Sequence, residues 1–248
     1  MKRILKMPAV TVVLLLFMIS VAPSVAVEAK SVETENEDSS QKVIVIDPGC
    51  QSIKNTKKES VGPGSWTRKT EDLSGTTGVT TGTEEYEVNL QVAQMVKENL
   101  EDAGYQVELT RSSNDVNINN AERAMVANTL SAELYISIRS GAEGKDKSGV
   151  EVVCETQDNP YDYMNYGDSR LLSDALLGSL VEKTSVENNG VVETDDSIAL
   201  NWCTVPNAIV MVGNINNPVD DEKLSDTDYQ QEVALGIAAG VESYFAQR

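Results

Sequence analysis

The sequence predicts a single α/β domain with a mostly parallel or mixed central sheet and helices on both faces. Apolar strands alternate with amphipathic helices along the chain, which is typical of a sheet covered on both sides. The first strand, residues 43–46 (Val-Ile-Val-Ile), is apolar at every position, as expected for a buried parallel strand. A chain of 248 residues with 40% hydrophobic content is long enough to bury one such core.

The first 26 residues have the pattern of a secretory signal peptide. Three basic residues at positions 2–6 precede an apolar run over 9–19, and small residues follow around Ser24. An uncleaved membrane anchor is the competing interpretation, but Pro23 and Ser24 interrupt the far end of the apolar stretch. We therefore expect cleavage and a secreted or cell-wall-associated protein.

The segment after the signal peptide is polar and strongly acidic. Residues 27–41 have the composition of a disordered linker ahead of a domain over 42–248. Removal of residues 1–26 takes away three basic side chains and leaves 39 acidic against 17 basic ones, a net charge of about −22. Nucleic acid is not an expected partner, because phosphate binding needs a basic surface. The oligomeric state is left open.

The remaining elements follow from hydrophobic periodicity and from turn residues. Strands are predicted over 105–110, 134–139, 150–154 and 208–212, and helices over 84–103, 120–130, 169–184 and 228–245. Residues 51–83 are a long Gly/Ser/Thr-rich stretch, and a loop of this length in a compact domain is usually functional or disordered. The segment 185–205 is predicted to be irregular.

The turn Asp47-Pro48-Gly49-Cys50 at the end of the first strand is the first candidate for a functional site. In open α/β sheets, ligands bind outside the carboxyl ends of the strands. Glu85 begins the next helix, where the dipole favours acidic side chains, so by itself it is a solvated helix-start residue. The other cysteines are Cys154 and Cys203; three cysteines allow at most one internal disulfide, and the pairing is left open.

These features together resemble the secreted zinc-dependent N-acetylmuramoyl-L-alanine amidases, which cut peptidoglycan. The resemblance extends over residues 43–245. The motifs that carry it are Val-Ile-Asp-Pro-Gly at 45–49, Gly-Pro-Gly-Ser at 62–65, Glu-Tyr-Glu-Val-Asn-Leu at 85–90, Gly-Tyr-Gln-Val at 104–107, Asn-Ala-Glu-Arg-Ala at 120–124, Ile-Ser-Ile at 136–138, Asn-Trp-Cys at 201–203 and Asn-Pro at 217–218.

The resemblance implies a site that this chain has largely lost. Family members hold zinc with two His and one Glu, and they use a second Glu for catalysis. Those roles fall on Cys50, Glu85, Arg139 and Met211 in this sequence, and only Glu85 matches the residue of the family. The whole chain contains no His. The resemblance therefore implies an amidase scaffold with a degenerate metal pocket.

The chemistry of these residues does not suit zinc hydrolysis. A catalytic zinc takes about three protein ligands and a water molecule. Arg139 stays protonated and offers only donors, and Met211 cannot take a proton from water. We therefore expect no bound zinc and no catalytic residue, with Cys50, Glu85 and Arg139 forming the degenerate pocket. We also expect Arg139 to form an ion pair with Glu85 across that pocket.

Each substitution also has a plain structural interpretation. Cys50 suits a small buried site, Arg139 a strand end and Met211 a core gap, so their joint placement is what favours a degenerate amidase. A hydrolase based on Cys50 is disfavoured because no His can partner it, although Arg139 nearby would favour the thiolate. Two functions stay open: a non-catalytic protein that binds peptidoglycan or a cell-wall protein, and a working amidase whose site uses other residues.

Overall fold

The computed structural model describes residues 41–70, 73–142, 144–161 and 163–248. The predicted signal peptide and, except for Gln41, the predicted linker lie outside these residues. Within the described part, no helix combines the length and the apolar character that a membrane span requires.

The described residues form eight strands and six helices. The strands are β1 (Val43–Pro48), β2 (Glu59–Ser60), β3 (Arg68–Lys69), β4 (Gln106–Leu109), β5 (Leu134–Gly141), β6 (Val150–Cys154), β7 (Asn188–Glu193) and β8 (Asn207–Asn214). The helices are α1 (Glu85–Asp102), α2 (Asn120–Leu130), α3 (Tyr166–Thr184), α4 (Ile198–Trp202), α5 (Pro218–Leu224) and α6 (Thr227–Ala246).

Six of the strands form one mixed sheet in the order β4-β1-β5-β8-β6-β7. Strands β4, β1, β5 and β8 are parallel to one another, and β6 runs antiparallel to β8. Strand β7 is parallel to β6. The prediction of a single α/β domain with a mostly parallel or mixed sheet is confirmed.

Helices cover both faces of the sheet, which explains why β1 is apolar on both sides. Ile44 and Ile46 pack in the larger core cluster, which includes side chains of α1, α3 and α6. Val45 points to the other face and packs with Ala124 of α2 and Ala199 of α4. All three β1 side chains are fully buried.

Two segments contain more regular structure than the sequence predicts. The loop 51–83 holds the short antiparallel hairpin β2–β3, and the segment 185–205, predicted to be irregular, contains β7 and α4. Strand β7 has no buried residue, so its sequence lacks the apolar pattern that identifies a strand. Helix α5 was also not predicted, and its seven residues are too few for a clear helical period.

Candidate functional site

The four residues singled out from the sequence lie at one edge of the sheet. Because β1, β5 and β8 are parallel, their carboxyl ends meet there. Cys50 follows β1, and Arg139 of β5 stands opposite Met211 of β8 in the strand register. Glu85 is the first residue of α1, which packs on β1 and β5.

Cys50 and Glu85 are in direct contact. The Cys50 thiol donates a hydrogen bond to Glu85 Oε1 over 3.3 Å, and both side chains are buried. Cys50 has a left-handed backbone with φ of 60°, so the turn directs its side chain by a conformation that non-glycine residues rarely adopt. Asn89, one helical turn after Glu85, donates to the Gly49 carbonyl over 3.1 Å and connects α1 to this turn.

The end of the long loop lies over this pair. The Thr76 N–H donates to Glu85 Oε2 over 3.0 Å, and the Glu85 N–H donates to the Thr76 carbonyl over 2.9 Å. Gly75 has a φ of 74°, and a Cβ at this position would stand 3.0 Å from Glu85 Oε2 and 3.2 Å from the Cys50 Cβ. The loop therefore supplies one hydrogen bond to the carboxylate that the family would offer to a metal.

The expected ion pair between Arg139 and Glu85 is wrong. Arg139 Nη2 donates to Asn120 Oδ1 at the start of α2 over 2.9 Å, and the ion pairs found among the described residues do not include one between Arg139 and Glu85. The Arg139 side chain runs past Gly49, where an added Cβ would stand 2.7 Å from Arg139 Cγ. The guanidinium is thus directed towards α2, while the Glu85 carboxylate bonds to Cys50, Thr76 and Asn89 on the other side of the turn.

The Cys50 thiol is not activated. Burial and the negative charge of Glu85 together raise the pKa of Cys50 to about 12, although the positive charge of Arg139 acts in the opposite direction. The predicted direction of the Arg139 effect is confirmed, since its positive charge favours the thiolate, but burial and Glu85 outweigh it and the thiol keeps its proton. Cys154 and Cys203 are also buried with free thiols, and their pKa values are likewise raised by burial.

Asp47 is the centre of a buried polar network under the turn. Its Oδ2 accepts hydrogen bonds from Tyr135 Oη at 3.0 Å and Ser137 Oγ at 2.8 Å, and its Oδ1 accepts from Thr110 Oγ1. The fully buried Arg123 forms an ion pair with Oδ1 at 2.8 Å. Burial raises the pKa of Asp47, but the positive charges nearby and these hydrogen bonds outweigh burial and hold the pKa below its usual range.

Two arginines fix the backbone of the turn. Arg123 donates to the carbonyls of Pro48 at 2.9 Å and Cys50 at 3.0 Å, and Arg111 donates to the carbonyls of Pro48 at 2.8 Å and Gly49 at 3.1 Å. The sequence placed Arg123 within a family motif, but the role of Arg111 was not predicted. The available signal was an arginine directly after a predicted strand in a chain with few basic residues.

Met211 lines a cavity beside the pocket. This cavity has a volume of about 500 Å³ and is also lined by Gly141, Lys147, Glu151 and Glu187. Glu151 of β6 stands directly opposite Met211 in the antiparallel register, so an acidic side chain lies on the strand next to the position where the family has its catalytic Glu. The sequence analysis did not identify Glu151 or this cavity.

The donors present do not fit a catalytic zinc. Cys50 holds its proton and bonds to Glu85, Arg139 offers only N–H donors, and Met211 presents a thioether. Within the described residues, no group of three or more Cys, Asp or Glu side chains is arranged to hold a metal ion.

The fold, and not the four residues at this edge, places the chain in the peptidoglycan amidase class. The family model described as N-acetylmuramoyl-L-alanine amidase matches residues 44–243. The chain belongs to this family.

Three relatives give the degree of similarity. The Bacillus subtilis (strain 168) protein YqiI is 30% identical over 163 residues, which cover 66% of this chain and 75% of YqiI. The N-acetylmuramoyl-L-alanine amidase LytC of the same strain is 29% identical over 65% of this chain but only 31% of LytC. The probable cell wall amidase LytH of Staphylococcus saprophyticus is 25% identical, and the match covers 49% of LytH.

Solved structures support the same fold. The N-acetylmuramyl-L-alanine amidase Ami1 of Mycobacterium smegmatis matches with a TM-score of 0.75 at 22% identity, covering 84% of this chain and 98% of Ami1. The N-acetylmuramoyl-L-alanine amidase of Clostridium difficile 630 matches with a TM-score of 0.68 at 25% identity, covering 84% of this chain and 98% of that one.

Proposed function

We propose that this chain is an exported amidase-fold protein that binds peptidoglycan without hydrolysing it. The observation that carries the proposal is the pairing of Arg139 with Met211 on adjacent strands, where the family has a zinc ligand and the catalytic Glu. Neither residue can replace the group that the chemistry needs, since one is a permanent cation and the other has no basic atom. Retention of the surrounding fold favours a binding role.

The contacts of Cys50 and Glu85 support a pocket that is stable without metal. The Glu85 carboxylate accepts hydrogen bonds from Cys50, Asn89 and the Thr76 N–H, so its buried charge is compensated by the protein. We infer that Cys50, Glu85 and Arg139 are the remnant of a metal site that has become a structural part of the groove. The cavity beside Met211 then offers space for part of a wall polymer.

Export and the division of the chain belong to the same proposal. We infer a signal peptide over 1–26, a linker over 27–41 and the amidase-like domain over 42–248, because the first two segments have the composition of exported proteins. The names of LytC and LytH place those relatives in cell-wall chemistry.

One observation favours a working amidase instead. Glu151 lines the cavity beside Met211, and a carboxylate there would be the candidate general base. A protein partner is a further possibility for the binding role, since the Clostridioides difficile amidase CwlD was solved in complex with the GerS lipoprotein. That likeness has 19% identity and by itself shows the fold alone.

The test is an assay of binding and hydrolysis with the same purified protein. Purified peptidoglycan is mixed with the protein, with and without added zinc, and both cosedimentation and release of stem peptides are measured. We expect cosedimentation and no release, with an active amidase as the positive control. If the wild type releases stem peptides and the Glu151→Gln variant does not, the protein is a working amidase and this proposal is wrong. If the wild type does not cosediment at any salt concentration, peptidoglycan is excluded as the ligand.

A further inference from the structure

The hairpin β2–β3 places a group of basic side chains on a strongly acidic chain. Lys57, Lys58 and Arg68 line an open cavity of about 520 Å³, together with Glu59, Ser60 and residues at the start of α2. The whole chain has a net charge of −19, with 39 acidic side chains against 20 basic ones. A basic cavity on this surface is therefore a local departure from the charge of the protein.

The three cations of this cavity are not paired within the described part of the chain. Lys57, Lys58 and Arg68 form no ion pair with any described residue, whereas Lys69 next in sequence pairs with Asp196 at 2.8 Å. The acidic residue of the hairpin, Glu59, also lines the cavity, but it is buried and its carboxylate is bonded to the start of α2 instead of to these cations. Its carboxylate accepts from the Ala121 N–H at 3.0 Å and from Asn120 Nδ2 at 3.3 Å. Arg68 Nη2 donates a hydrogen bond to the Lys58 carbonyl at 2.6 Å, but no described carboxylate neutralises the positive charge of these three side chains.

An exposed indole stands at the turn of the same hairpin. Trp66 is 98% exposed, although an indole is among the largest apolar side chains and usually gains from burial. The hairpin that carries it is anchored, because Trp202 Nε1 donates to the Ser60 carbonyl at 2.9 Å and Asn201 Nδ2 donates to the Val61 carbonyl at 2.9 Å. Trp66 therefore projects into solvent from a hairpin that is anchored to the domain by hydrogen bonds.

The basic cavity is connected to the degenerate pocket through one residue. Asn120 donates from Nδ2 to Glu59 Oε1 in the hairpin and accepts from Arg139 Nη2 through Oδ1. A chain-like ligand lying along this edge of the sheet would meet both the pocket and the hairpin. The continuity favours an extension of the binding groove over an unrelated surface site.

We propose that the β2–β3 hairpin binds the glycopeptide of the cell wall, with peptide carboxylates on Lys57, Lys58 and Arg68 and the apolar face of a sugar ring on Trp66. The inference rests on the proposed function and names the chemical groups that the groove recognises. Carboxylates pair well with ammonium and guanidinium groups, and a flat aromatic face suits a sugar ring, so one ligand satisfies both features. An anionic membrane surface is the alternative ligand for a tryptophan beside basic residues, and it would require these side chains to lie on a flat face. The three cations instead line a cavity that is connected to the degenerate pocket, which favours the glycopeptide.

The test measures cosedimentation of the purified protein with peptidoglycan stripped of attached phosphate polymers. We expect the triple variant Lys57→Gln/Lys58→Gln/Arg68→Gln to bind roughly tenfold more weakly and to lose most of the salt dependence of binding. The matched control is Lys42→Gln/Lys183→Gln/Lys223→Gln, which makes the same change in net charge at exposed residues outside the cavity. We expect the control to bind like the wild type and Trp66→Ala to bind roughly three- to tenfold more weakly at every salt concentration.

The outcomes separate this inference from the proposed function. Equal binding of the wild type and the triple variant would overturn the hairpin site alone, whereas no binding by the wild type would overturn both. Binding that disappears when the phosphate polymers are stripped would assign the cations to those polymers and overturn the glycopeptide. Tighter binding to vesicles of anionic phospholipid than to peptidoglycan, lost in Trp66→Ala, would overturn it in favour of a membrane. Chemical amidation of the peptide carboxylates should weaken wild-type binding to the level of the triple variant.

Discussion

Cys50 Sγ donates a hydrogen bond to Glu85 Oε1 over 3.3 Å, so the residues at two family metal positions satisfy each other. This contact differs from a metal site, because both side chains are buried and the thiol proton, not a metal ion, lies against the carboxylate oxygen. The loop residue Thr76 completes the arrangement with a backbone hydrogen bond to the other carboxylate oxygen. The relationship leads to the first two predictions.

The first prediction concerns metal content. The purified protein should hold much less than one equivalent of zinc after dialysis, because Arg139 and Met211 provide neither a ligand nor a base. The triple variant Cys50→His/Arg139→His/Met211→Glu should gain zinc, measured by elemental analysis. Met211→Glu alone is the matched control and should gain none, since it restores the base without the ligands. Stoichiometric zinc in the wild type would contradict the degenerate pocket.

The second prediction concerns the partner of Arg139. A double-mutant cycle in urea should give a coupling of about 0.5–1.5 kcal/mol between Arg139 and Asn120, as expected for one hydrogen bond. The cycle for Arg139→Ala with Glu85→Gln should give a smaller coupling, because the two side chains form no ion pair. A larger coupling between Arg139 and Glu85 than between Arg139 and Asn120 would support the ion pair across the pocket.

The third prediction concerns the loop that covers the pocket. Gly75→Ala and Gly64→Ala both place a Cβ at a positive φ, 74° and 73°, which costs roughly 1–2 kcal/mol of unfolding free energy in each. Only the Cβ at Gly75 meets neighbours, Glu85 and Cys50, whereas Gly64 has no atom within 4 Å. Gly75→Ala should therefore cost about 1–3 kcal/mol more than its control in urea unfolding. Equal costs would mean that the loop does not press on the pair.

The fourth prediction concerns the ion pair beneath the turn. Arg123→Ala should lower the free energy of unfolding by about 3–5 kcal/mol, because it leaves Asp47 charged and buried without its partner. Arg170→Ala, which breaks exposed pairs with Asp174 and Glu193, is the control and should cost only about 0–1 kcal/mol for each pair. Denaturant titration of both variants measures the difference, and a small cost for Arg123→Ala would mean that water reaches the network.

The fifth prediction concerns acid stability. The pKa of Asp47 lies below its usual range in the folded protein, so its charged form contributes stability above the unfolded pKa of about 3.9. That contribution should be lost as pH falls towards the folded pKa. The gap in unfolding free energy between the wild type and Asp47→Asn should be constant from about pH 7 to 5 and should shrink below about pH 4. A gap that does not change with pH would show that the Asp47 charge is not responsible.

Much of the fold could be predicted because its elements carry local signals. The unbroken apolar run of residues 43–46 predicts a buried strand. Helix α2 begins at the predicted residue because Asn119 and Glu122 form a capping box. Strand β7 carried no such signal, since its side chains are not buried. Strand β7 joins the sheet through backbone hydrogen bonds to β6, and such bonds do not require a pattern of apolar residues.

The sequence by itself determined the chemistry that the pocket lacks. The absence of His, the permanent charge of Arg139 and the thioether of Met211 are properties of residue identity and hold in any conformation. The tertiary structure decided which groups compensate one another. Glu85 accepts from Cys50, 35 positions away, and Arg139 donates to Asn120 because the turn and α2 bring that amide within reach. Periodicity reports which face of an element is buried, but contacts between distant elements depend on the path of the loops that join them.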